Sequence, residues 1–218
     1  MINPLDQISE SMIARYSGRY AELGYDVKTL GWGSSEQQYY RFKQAIDHIS
    51  FNNPKSILDI GCGFGDFLAL LIAENKPLKE YYGWDINPDL IEESRKIWEG
   101  KSIKSTFEVI NVSKHISSKP TTDIAFMFGV LNLNLKEEFD NYDYSKMLIS
   151  NAFTAVKELL VVDFLSNHLD PNYPKEDFVF YHDPAVMLNY ALTLTSDVEI
   201  KHNYSPIPQK EFMMFLYK

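Results

Sequence analysis

The hydrophobic positions of this chain change repeatedly between two spacings, and these changes predict an alternation of strands and helices. Short apolar or alternating runs predict strands; they cover residues 56–60, 80–86, 104–110, 122–131, 159–164, 196–204 and 211–217. Apolar residues three and four positions apart predict helices; they cover residues 5–23, 35–49, 65–75, 88–98, 143–158 and 183–194. Strands that alternate with helices in this way predict an α/β protein.

Two parts of the pattern indicate where strands lie in the predicted sheet. Residues 122–131 form a nearly continuous apolar run, which is typical of a central parallel strand covered on both faces. Residues 196–204 and 211–217 alternate, with Pro206 and Pro208 between them, and this predicts an antiparallel pair at one edge of the sheet.

A glycine-rich turn follows the first predicted strand, in the stretch SILDIGCGFGDF. Its glycines are Gly61, Gly63 and Gly65. Glycine adopts positive φ angles and has no Cβ atom, so the backbone of such a turn can lie against a ligand. A strand, a glycine turn and a helix in succession are typical of a nucleotide-binding α/β unit.

The residues around the turn favour a ligand without phosphates. Asp66 occupies the third glycine position of the dinucleotide fingerprint, and a carboxylate there repels a pyrophosphate at a helix N-terminus. Asp59 precedes the turn at the end of the strand. A ligand with a positive centre suits these acids, and S-adenosylmethionine, with its sulfonium, is such a ligand. A nicotinamide dinucleotide is disfavoured.

A second acid ends the next predicted strand, in EYYGWDI. Asp85 lies about 20 residues past the turn, where an acid reaches ribose hydroxyls in folds of this kind. The alternative role for Asp85 is to begin the helix over 88–98, but Asn87 and Pro88 already suit that start.

Together, ILDIGCGFGDF and YYGWDINPDLIEESRK resemble the class I S-adenosylmethionine-dependent methyltransferase family. The resemblance extends in the order of elements from about residue 35 to the C-terminus and implies a Rossmann-like seven-stranded sheet. Five parallel strands and a C-terminal antiparallel hairpin make up this sheet, with helices on both faces. The first 50 residues are predicted to form an N-terminal helical cap, and residues 51–218 a single methyltransferase domain.

The resemblance also implies a set of cofactor-binding residues. At the end of the third strand, Asn111 stands where an Asp is common, and its side-chain oxygen is expected to accept from the adenine amine, with Val112 flanking the ring. Phe128 and Gly129 end the fourth strand, where ligands bind in open α/β sheets. The full set is Asp59, Gly61, Cys62, Gly63, Asp85, Ile86, Asn111, Val112, Phe128 and Gly129.

Residues 1–50 have two interpretations: a segment that packs on the core, or a cap that closes over the cofactor and shapes the substrate pocket. The mixture of aromatic and polar side chains favours the cap. Either Arg19 or Arg41 could bind a carboxylate, and a surface ion pair is the alternative for both. The candidate substrate-binding residues are Tyr16, Arg19, Trp32, Arg41, Asn132 and Tyr181.

A long polar loop, LSNHLDPNYPKEDFVFYHD, leaves the carboxyl end of the fifth predicted strand and is expected to roof the pocket. Methyl transfer to oxygen needs a base or a pre-ionised acceptor. His182, between Tyr181 and Asp183, is the favoured candidate base, and His168 is the second. A solvated loop histidine is the alternative interpretation of both.

Composition narrows the class of protein. A net charge of −9 argues against a nucleic-acid partner. The single cysteine, Cys62, excludes an internal disulfide and suits a reducing cytoplasm. No apolar run approaches the ~20 residues of a membrane span, the N-terminus does not resemble a signal peptide, and no His or carboxylate spacing predicts a metal site.

The function predicted from the sequence is S-adenosylmethionine-dependent methylation of a small polar metabolite or of a sugar- or nucleotide-sugar-linked group. Oxygen is the favoured acceptor, because the fourth strand ends in FGVLN rather than in an Asn/Asp-Pro-Pro-Tyr/Phe tetrapeptide. The rival hypotheses are a non-catalytic cofactor-binding protein with a methyltransferase fold and an NAD-dependent oxidoreductase. The sequence leaves the oligomeric state open.

Overall fold

The computed structural model describes residues 3–114, 121–136, 138–169, 171, 173–204 and 210–218. The described helices are α1 (Pro4–Leu23), α2 (Ser35–Ile46), α3 (Asp66–Ala73), α4 (Pro88–Trp98), α5 (Asn141–Thr154) and α6 (Pro184–Leu194). The described strands are β1 (Lys55–Ile60), β2 (Leu78–Asp85), β3 (Ser105–Val109), β4 (Thr122–Met127), β5 (Val156–Leu165), β6 (Val198–Lys201) and β7 (Glu211–Tyr217).

The strands form a seven-stranded mixed sheet in the order β3-β2-β1-β4-β5-β7-β6. Strands β1 to β5 are parallel, and β7 pairs antiparallel with both β5 and β6. The predicted α/β fold, with five parallel strands and a C-terminal antiparallel hairpin, is therefore confirmed. Pro206 and Pro208, expected between the last two strands, lie outside the described residues.

The chain divides into two compact units, Met1–Val112 and Ser113–Lys218. The first unit contains β1, β2 and β3 together with the four helices α1 to α4, and the second contains β4 to β7 with α5 and α6. Helices α1 and α2 thus group with the first three strands, and the division does not fall near residue 50. The role of residues 1–50 as a cap stays a prediction.

Several helices begin at a side chain that the sequence supplies. Asn87 accepts hydrogen bonds from the backbone N–H groups of Asp89 and Leu90, and Pro88 follows as the first helical residue of α4. Asp183 and Pro184 begin α6 in the same manner. These side chains satisfy backbone donors that have no partner within the helix, and proline has no N–H to lose there.

Several element boundaries differ from the prediction by a few residues, and those of β4 and β5 have a clear structural reason. Strand β4 ends at Met127, because Gly129 has a φ of 70°, outside the β region. Strand β5 begins at Val156, three residues earlier than predicted. Helix α5 ends at Thr154, and Val156 pairs with Thr122 of β4. Residues 156–158, which also fit a helical pattern, therefore belong to β5, because this strand pairs with β4 from Val156 onward.

The candidate site of the first unit is supported by a buried core. Strand β1 is covered on both sides, with Ile57 and Leu58 fully buried, and the inner face of α3 is provided by Phe67, Leu68 and Leu71. Burial of such side chains contributes about 1.5–3 kcal/mol each. No described helix is long and apolar enough to cross a membrane.

Candidate functional site

The turn after β1 has the bare, left-handed backbone that its glycines permit. Gly61, Gly63 and Gly65 have φ angles of 76°, 52° and 81°. The N–H groups of Gly61 and Cys62 donate to the carbonyl of Trp84, at 2.7 and 3.1 Å, and this ties the turn to the end of β2. A Cβ atom on Gly65 would lie 2.5 Å from Nε1 of Trp98, so the third glycine is required by packing as well.

Asp85 ends β2 directly beside this turn. Its Oδ2 accepts from the Gly63 N–H at 3.0 Å, and its Oδ1 accepts from the Asn87 N–H at 2.8 Å. Burial raises the pKa of Asp85, and hydrogen bonds from the backbone of Asn87, Gly63 and Ile86 oppose that rise. A carboxylate has about four acceptor positions, so about one remains for a hydroxyl group of a ligand.

Asp59 is a second buried acid of this unit. Its Oδ2 accepts from the hydroxyl of Tyr81 at 2.5 Å. Burial raises the pKa of Asp59 to about 7; the Tyr81 hydrogen bond opposes the rise, and the Asp85 and Asp66 carboxylates add to it. The site therefore gathers three carboxyl groups, an arrangement that disfavours anions and favours a cationic ligand.

The remaining residues at the strand ends are half-buried or buried. Cys62 is buried, and burial raises the pKa of its thiol well above the usual value, so it behaves as a small packing residue. Its sulfur lies 2.9 Å from the position that a Cβ on Gly83 would occupy. Val112 is also buried, whereas Ile86 is half-buried.

Helix α1 is fastened to the carboxyl ends of β2 and β3. The side-chain amide of Asn111 donates to the hydroxyl of Ser9 at 2.8 Å. The amide of Asn87 donates to the carbonyl of Ile13 and to the hydroxyl of Ser17, both at 3.1 Å. Burial raises the pKa of Tyr16, and the Asp85 carboxylate adds to the rise. Helix α1 therefore carries Tyr16 into the field of the Asp85 carboxylate.

Arg19 lies in α1, Arg41 lies in α2, and Trp32 lies in the connection between these two helices. Arg19 donates from Nε to the carbonyl of Thr29 at 3.0 Å and from Nη2 to the carbonyl of Lys28, so its guanidinium holds backbone. The guanidinium of Arg41 is buried and lies 4.4 Å above the Trp32 ring. Both arginines thus have intramolecular partners, and their predicted substrate contacts stay predictions.

The second unit carries its own polar strand ends. The N–H of Gly129 donates to Oδ1 of Asp163 at 2.6 Å, and Asp163 is buried in β5. Phe128 is buried and stacks on Phe126. The side-chain oxygen of Asn132 accepts from the Leu165 N–H at 3.3 Å, which ties the loop after β4 to the end of β5.

His182 is buried within the second unit, not exposed on a loop. Its Nε2 lies 2.8 Å from Oγ of Ser145, and its ring meets the edges or faces of Tyr142, Phe164 and Phe180 at centroid distances of 4.8 to 5.7 Å. Burial lowers the pKa of His182 to about 3. Such a group is a weak base, so these surroundings give the predicted catalytic role no support.

His168 is exposed, and its ring lies 5.9 Å from that of His202. The Nε2 of His202 lies 3.0 Å from Oγ of Ser166, which follows β5. The hydroxyl of Tyr181 accepts from the Glu176 N–H at 3.2 Å, so it braces the loop. Among the described residues, no group of three or more His, Cys, Asp or Glu is placed to hold a metal ion.

A protein-family model described as a methyltransferase domain matches residues 51–161. These residues are half of the chain and include the glycine turn, Asp85 and the strands β1 to β4. The chain belongs to the class I S-adenosylmethionine-dependent methyltransferase family. The predicted family is confirmed, and with it the cofactor that this family uses.

Individual methyltransferases resemble the chain to different extents. A trans-aconitate 2-methyltransferase from Pseudomonas aeruginosa is 31% identical over 104 residues, which are 45% of this chain and 36% of the relative. The matches span between about a third and two thirds of the length of the curated relatives, at 36%, 66% and 34%.

Solved methyltransferase structures share the fold over most of the chain. Magnesium protoporphyrin IX methyltransferase from Synechocystis PCC 6803, crystallised with bound S-adenosylmethionine, has a TM-score of 0.68 and 12% identity and covers 100% of this chain and 98% of its own. The small RNA methyltransferase HEN1 has a TM-score of 0.64 and 18% identity, covering 83% of this chain and 25% of its own. At these identities the likeness shows the fold alone.

The methyltransferase brings together, within its first unit, the predicted residues of the glycine turn with Asp59, Asp85 and Tyr16. Sequence reasoning missed Asp163, although a single acid inside the apolar run LLVVDF was a usable signal. It also missed Leu30, whose Cδ1 lies 2.7 Å from the position of a Cβ on Gly63. No local pattern singles out Leu30, because its neighbour is far away in the chain.

Proposed function

We propose that this protein transfers a methyl group from S-adenosylmethionine to a small polar acceptor. The observation that carries the proposal is the left-handed turn Gly61–Gly65 with the Asp85 carboxylate bound to its Gly63 N–H. Family membership supplies the reaction class, and the geometry of the first unit supplies residues that suit the cofactor.

The residues present fit the chemistry of the cofactor. Gly61 is exposed and has no side chain, so a ligand can approach its backbone. Asp85 retains an acceptor position for a ribose hydroxyl, and the acids at 59, 66 and 85 favour a positive sulfur over a pyrophosphate. We assign Gly61, Cys62, Gly63, Asp85, Ile86, Asn111 and Val112 to the cofactor, and keep Asp59, Phe128 and Gly129 as further predicted contacts.

When bound, S-adenosylmethionine would supply an electrophilic methyl group on its sulfonium. The acceptor displaces the sulfur in line, and the leaving group is a neutral thioether. The protein's contribution to such a reaction is mainly to orient the two reactants and exclude water. Helix α1 suits that role because Ser9 and Ser17 fasten it to Asn111 and Asn87 at the carboxyl ends of β3 and β2.

The acceptor is proposed to be a small polar metabolite or a sugar-linked group, methylated on oxygen. The Pseudomonas relative is named for trans-aconitate, a small molecule, and the net charge of −9 disfavours nucleic acid. His168 is the more accessible of the two candidate bases, because it is exposed and next to His202. Tyr16, Arg19, Trp32, Arg41, Asn132 and Tyr181 remain the candidates for contact with the acceptor.

Replacing Asp85 with alanine should weaken binding of S-adenosylmethionine by about 1–3 kcal/mol, roughly a 5- to 150-fold rise in Kd, through the loss of hydrogen bonds to the ribose. Isothermal titration calorimetry measures this directly. The substitution also leaves the Gly63 and Asn87 N–H groups without their acceptor, so urea unfolding of the cofactor-free protein must accompany it.

Asp89→Ala is the matched control, since it removes an exposed carboxylate four residues away on the first turn of α4. Its affinity for the cofactor should equal that of the wild type. A wild-type protein that binds NAD more tightly than S-adenosylmethionine would contradict the proposal. Tight binding of S-adenosylmethionine without methylation of any carboxylate, hydroxyl or sugar acceptor would favour a non-catalytic cofactor-binding protein.

A further inference from the structure

We propose that Asp66 is a positioning residue that holds a covering segment, residues 24–34, over the glycine turn and thereby controls how fast the cofactor binds and leaves. The inference rests on the proposed function, because it assigns a role at the same site. It concerns a residue to which the proposed function gives only a general electrostatic preference for a cationic ligand.

Both carboxylate oxygens of Asp66 accept hydrogen bonds from residues at or near the ends of the covering segment. The hydroxyl of Tyr25 donates to Oδ1 at 2.8 Å, and the side-chain amide of Gln38 donates to Oδ2 at 3.0 Å. Tyr25 lies at the start of the segment and Gln38 lies four residues beyond its end. One carboxylate on the first turn of α3 therefore fastens both ends of the segment.

Between these two contacts, the segment lies directly on the turn. Leu30 occupies the space beside the bare backbone of Gly63, with Cδ1 2.7 Å and Cδ2 2.9 Å from the position of a Cβ. The ring of Tyr25 meets the ring of Phe64 edge-on, at 4.9 Å between centroids. The backbone that a ligand approaches in this fold is thus next to a side chain of the covering segment.

Internal hydrogen bonds hold the covering segment together, and Arg19 of α1 also donates to the carbonyls of Lys28 and Thr29 within it. The hydroxyl of the buried Thr29 donates to the carbonyl of Gly24 at 2.8 Å, and Asp26 accepts from the Lys28 N–H at 2.8 Å. Gly24 has a φ of 64°, and a Cβ atom at this position would meet open space, so Gly24 is the natural hinge at the start of the segment. Rotation at such a position is how loops open in many enzymes.

The contact between Tyr25 and Asp66 is suited to opening. Tyr25 is 57% exposed, and a hydrogen bond at such a site is weak enough to break without unfolding the protein. Burial of the hydroxyl and the adjacent Asp66 carboxylate raise the pKa of Tyr25 to about 12, which keeps it a donor at all physiological pH values. Asp66 is thus placed to hold the segment in the closed position.

The chain offers a closely matched control. The hydroxyl of Tyr39, also about half exposed, donates to Glu74 at 2.5 Å, just after the opposite end of α3. Tyr25→Phe and Tyr39→Phe each remove one tyrosine hydroxyl that binds a carboxylate at an end of this helix. Only the first substitution releases the covering segment.

In the cofactor-free protein, amide hydrogen exchange of residues 24–34 should be roughly 2- to 10-fold faster in Tyr25→Phe and in Asp66→Asn than in the wild type. In stopped-flow binding of S-adenosylmethionine, the association and dissociation rates of these variants should rise by a similar factor. The urea midpoint should fall only slightly, and by a similar amount in Tyr39→Phe, because each tyrosine variant loses one exposed hydrogen bond. Tyr39→Phe should nevertheless match the wild type in hydrogen exchange of residues 24–34 and in the binding rates.

Two results would overturn the inference: exchange and binding rates of Tyr25→Phe and Asp66→Asn equal to those of the wild type, or equal changes in Tyr39→Phe. Its failure differs from that of the proposed function. If the wild type does not bind S-adenosylmethionine, the proposed function fails, whereas faster exchange in the cofactor-free variants still demonstrates the Asp66 contact.

Discussion

Replacing His182 with glutamine should remove the larger of two opposing effects of pH on the free energy of unfolding. The larger effect arises from His182 and the smaller from Asp59. Burial lowers the pKa of His182 from 6.5 to about 3. The unfolded chain therefore binds a proton below pH 6.5 that the folded protein refuses, so this residue stabilises the fold above pH 6.5 and that contribution is lost as the pH falls towards 3. The loss amounts to roughly 5 kcal/mol.

The measurement is the free energy of unfolding in urea at several pH values between 3 and 8, for the wild type and His182→Gln. The variant is less stable at pH 8, because it loses packing among the rings of Tyr142, Phe164 and Phe180. The difference between the two proteins should shift in favour of the variant as the pH falls. A difference that is constant from pH 7 to 3 would show that His182 titrates normally in the fold.

Ser145→Ala and His48→Gln are the controls. Ser145→Ala removes the hydrogen-bond partner of His182 but keeps the buried imidazole, so the acid-dependent loss should persist. His48 is exposed just after α2, and His48→Gln shows the effect of the same substitution away from the aromatic rings. These controls separate the titration of the buried ring from a general loss of packing.

Replacing Asp59 with asparagine should stabilise the cofactor-free protein at pH 8 by up to roughly 4 kcal/mol. Burial raises the pKa of Asp59 from 3.8 to about 7, against the Tyr81 hydrogen bond and with support from Asp85 and Asp66. The folded protein keeps this proton up to about pH 7, whereas the unfolded chain loses it above pH 3.8. The stabilising contribution of Asp59 is therefore complete below pH 3.8 and is lost by about pH 7.

Asparagine is neutral at every pH and still accepts from the Tyr81 hydroxyl through its side-chain oxygen. The gain of Asp59→Asn over the wild type should thus grow between pH 4 and 7 and level off above it, as measured by urea unfolding. A gain that is equal at pH 3 and pH 8 would contradict the raised pKa. Tyr81→Phe is the companion variant, since it removes the hydrogen bond that opposes the rise.

From pH 4 to 6.5, the contribution of His182 to stability rises with pH, whereas that of Asp59 falls. In the wild type they offset each other, and its stability is expected to vary little there. His182→Gln should therefore lose stability as the pH rises through this window, and Asp59→Asn should gain it. Neither titration is visible in the wild type alone, which is why the paired variants are needed.

The cofactor-binding residues of the candidate site could be predicted from the sequence, because they depend on local chemistry. The turn Gly61–Gly65 follows a short strand and precedes a helix, and only glycine adopts its φ angles without strain. Asp85 and Asn111 each lie at or just beyond the end of a parallel strand, and such ends lie along one edge of a sheet. The five parallel strands and the C-terminal hairpin were implied by the family resemblance.

The roles of individual side chains were harder to predict from the sequence, because the burial of a side chain depends on elements that are distant in the chain. His182 follows a polar loop sequence, yet Tyr142 of α5, Phe164 of β5 and the adjacent Phe180 enclose it. Arg19 was a candidate ligand for a carboxylate, yet it holds the backbone of Thr29. Apart from Phe180, the partners are 10 or more residues away in the chain, and no periodic pattern encodes such contacts.

The sequence by itself determined the fold class, the family, and the glycine turn with its acid on the neighbouring strand. The fold class follows from hydrophobic spacing, the turn from conformations that glycine alone adopts without strain, and the family from the resemblance carried by the two motifs. Only the tertiary structure decided which polar groups are buried and what they hold: His182 within aromatic rings, Asp59 against Tyr81, and Asp66 between Tyr25 and Gln38. Burial and long-range hydrogen bonds arise when separate elements pack together, so they become defined only in the folded protein.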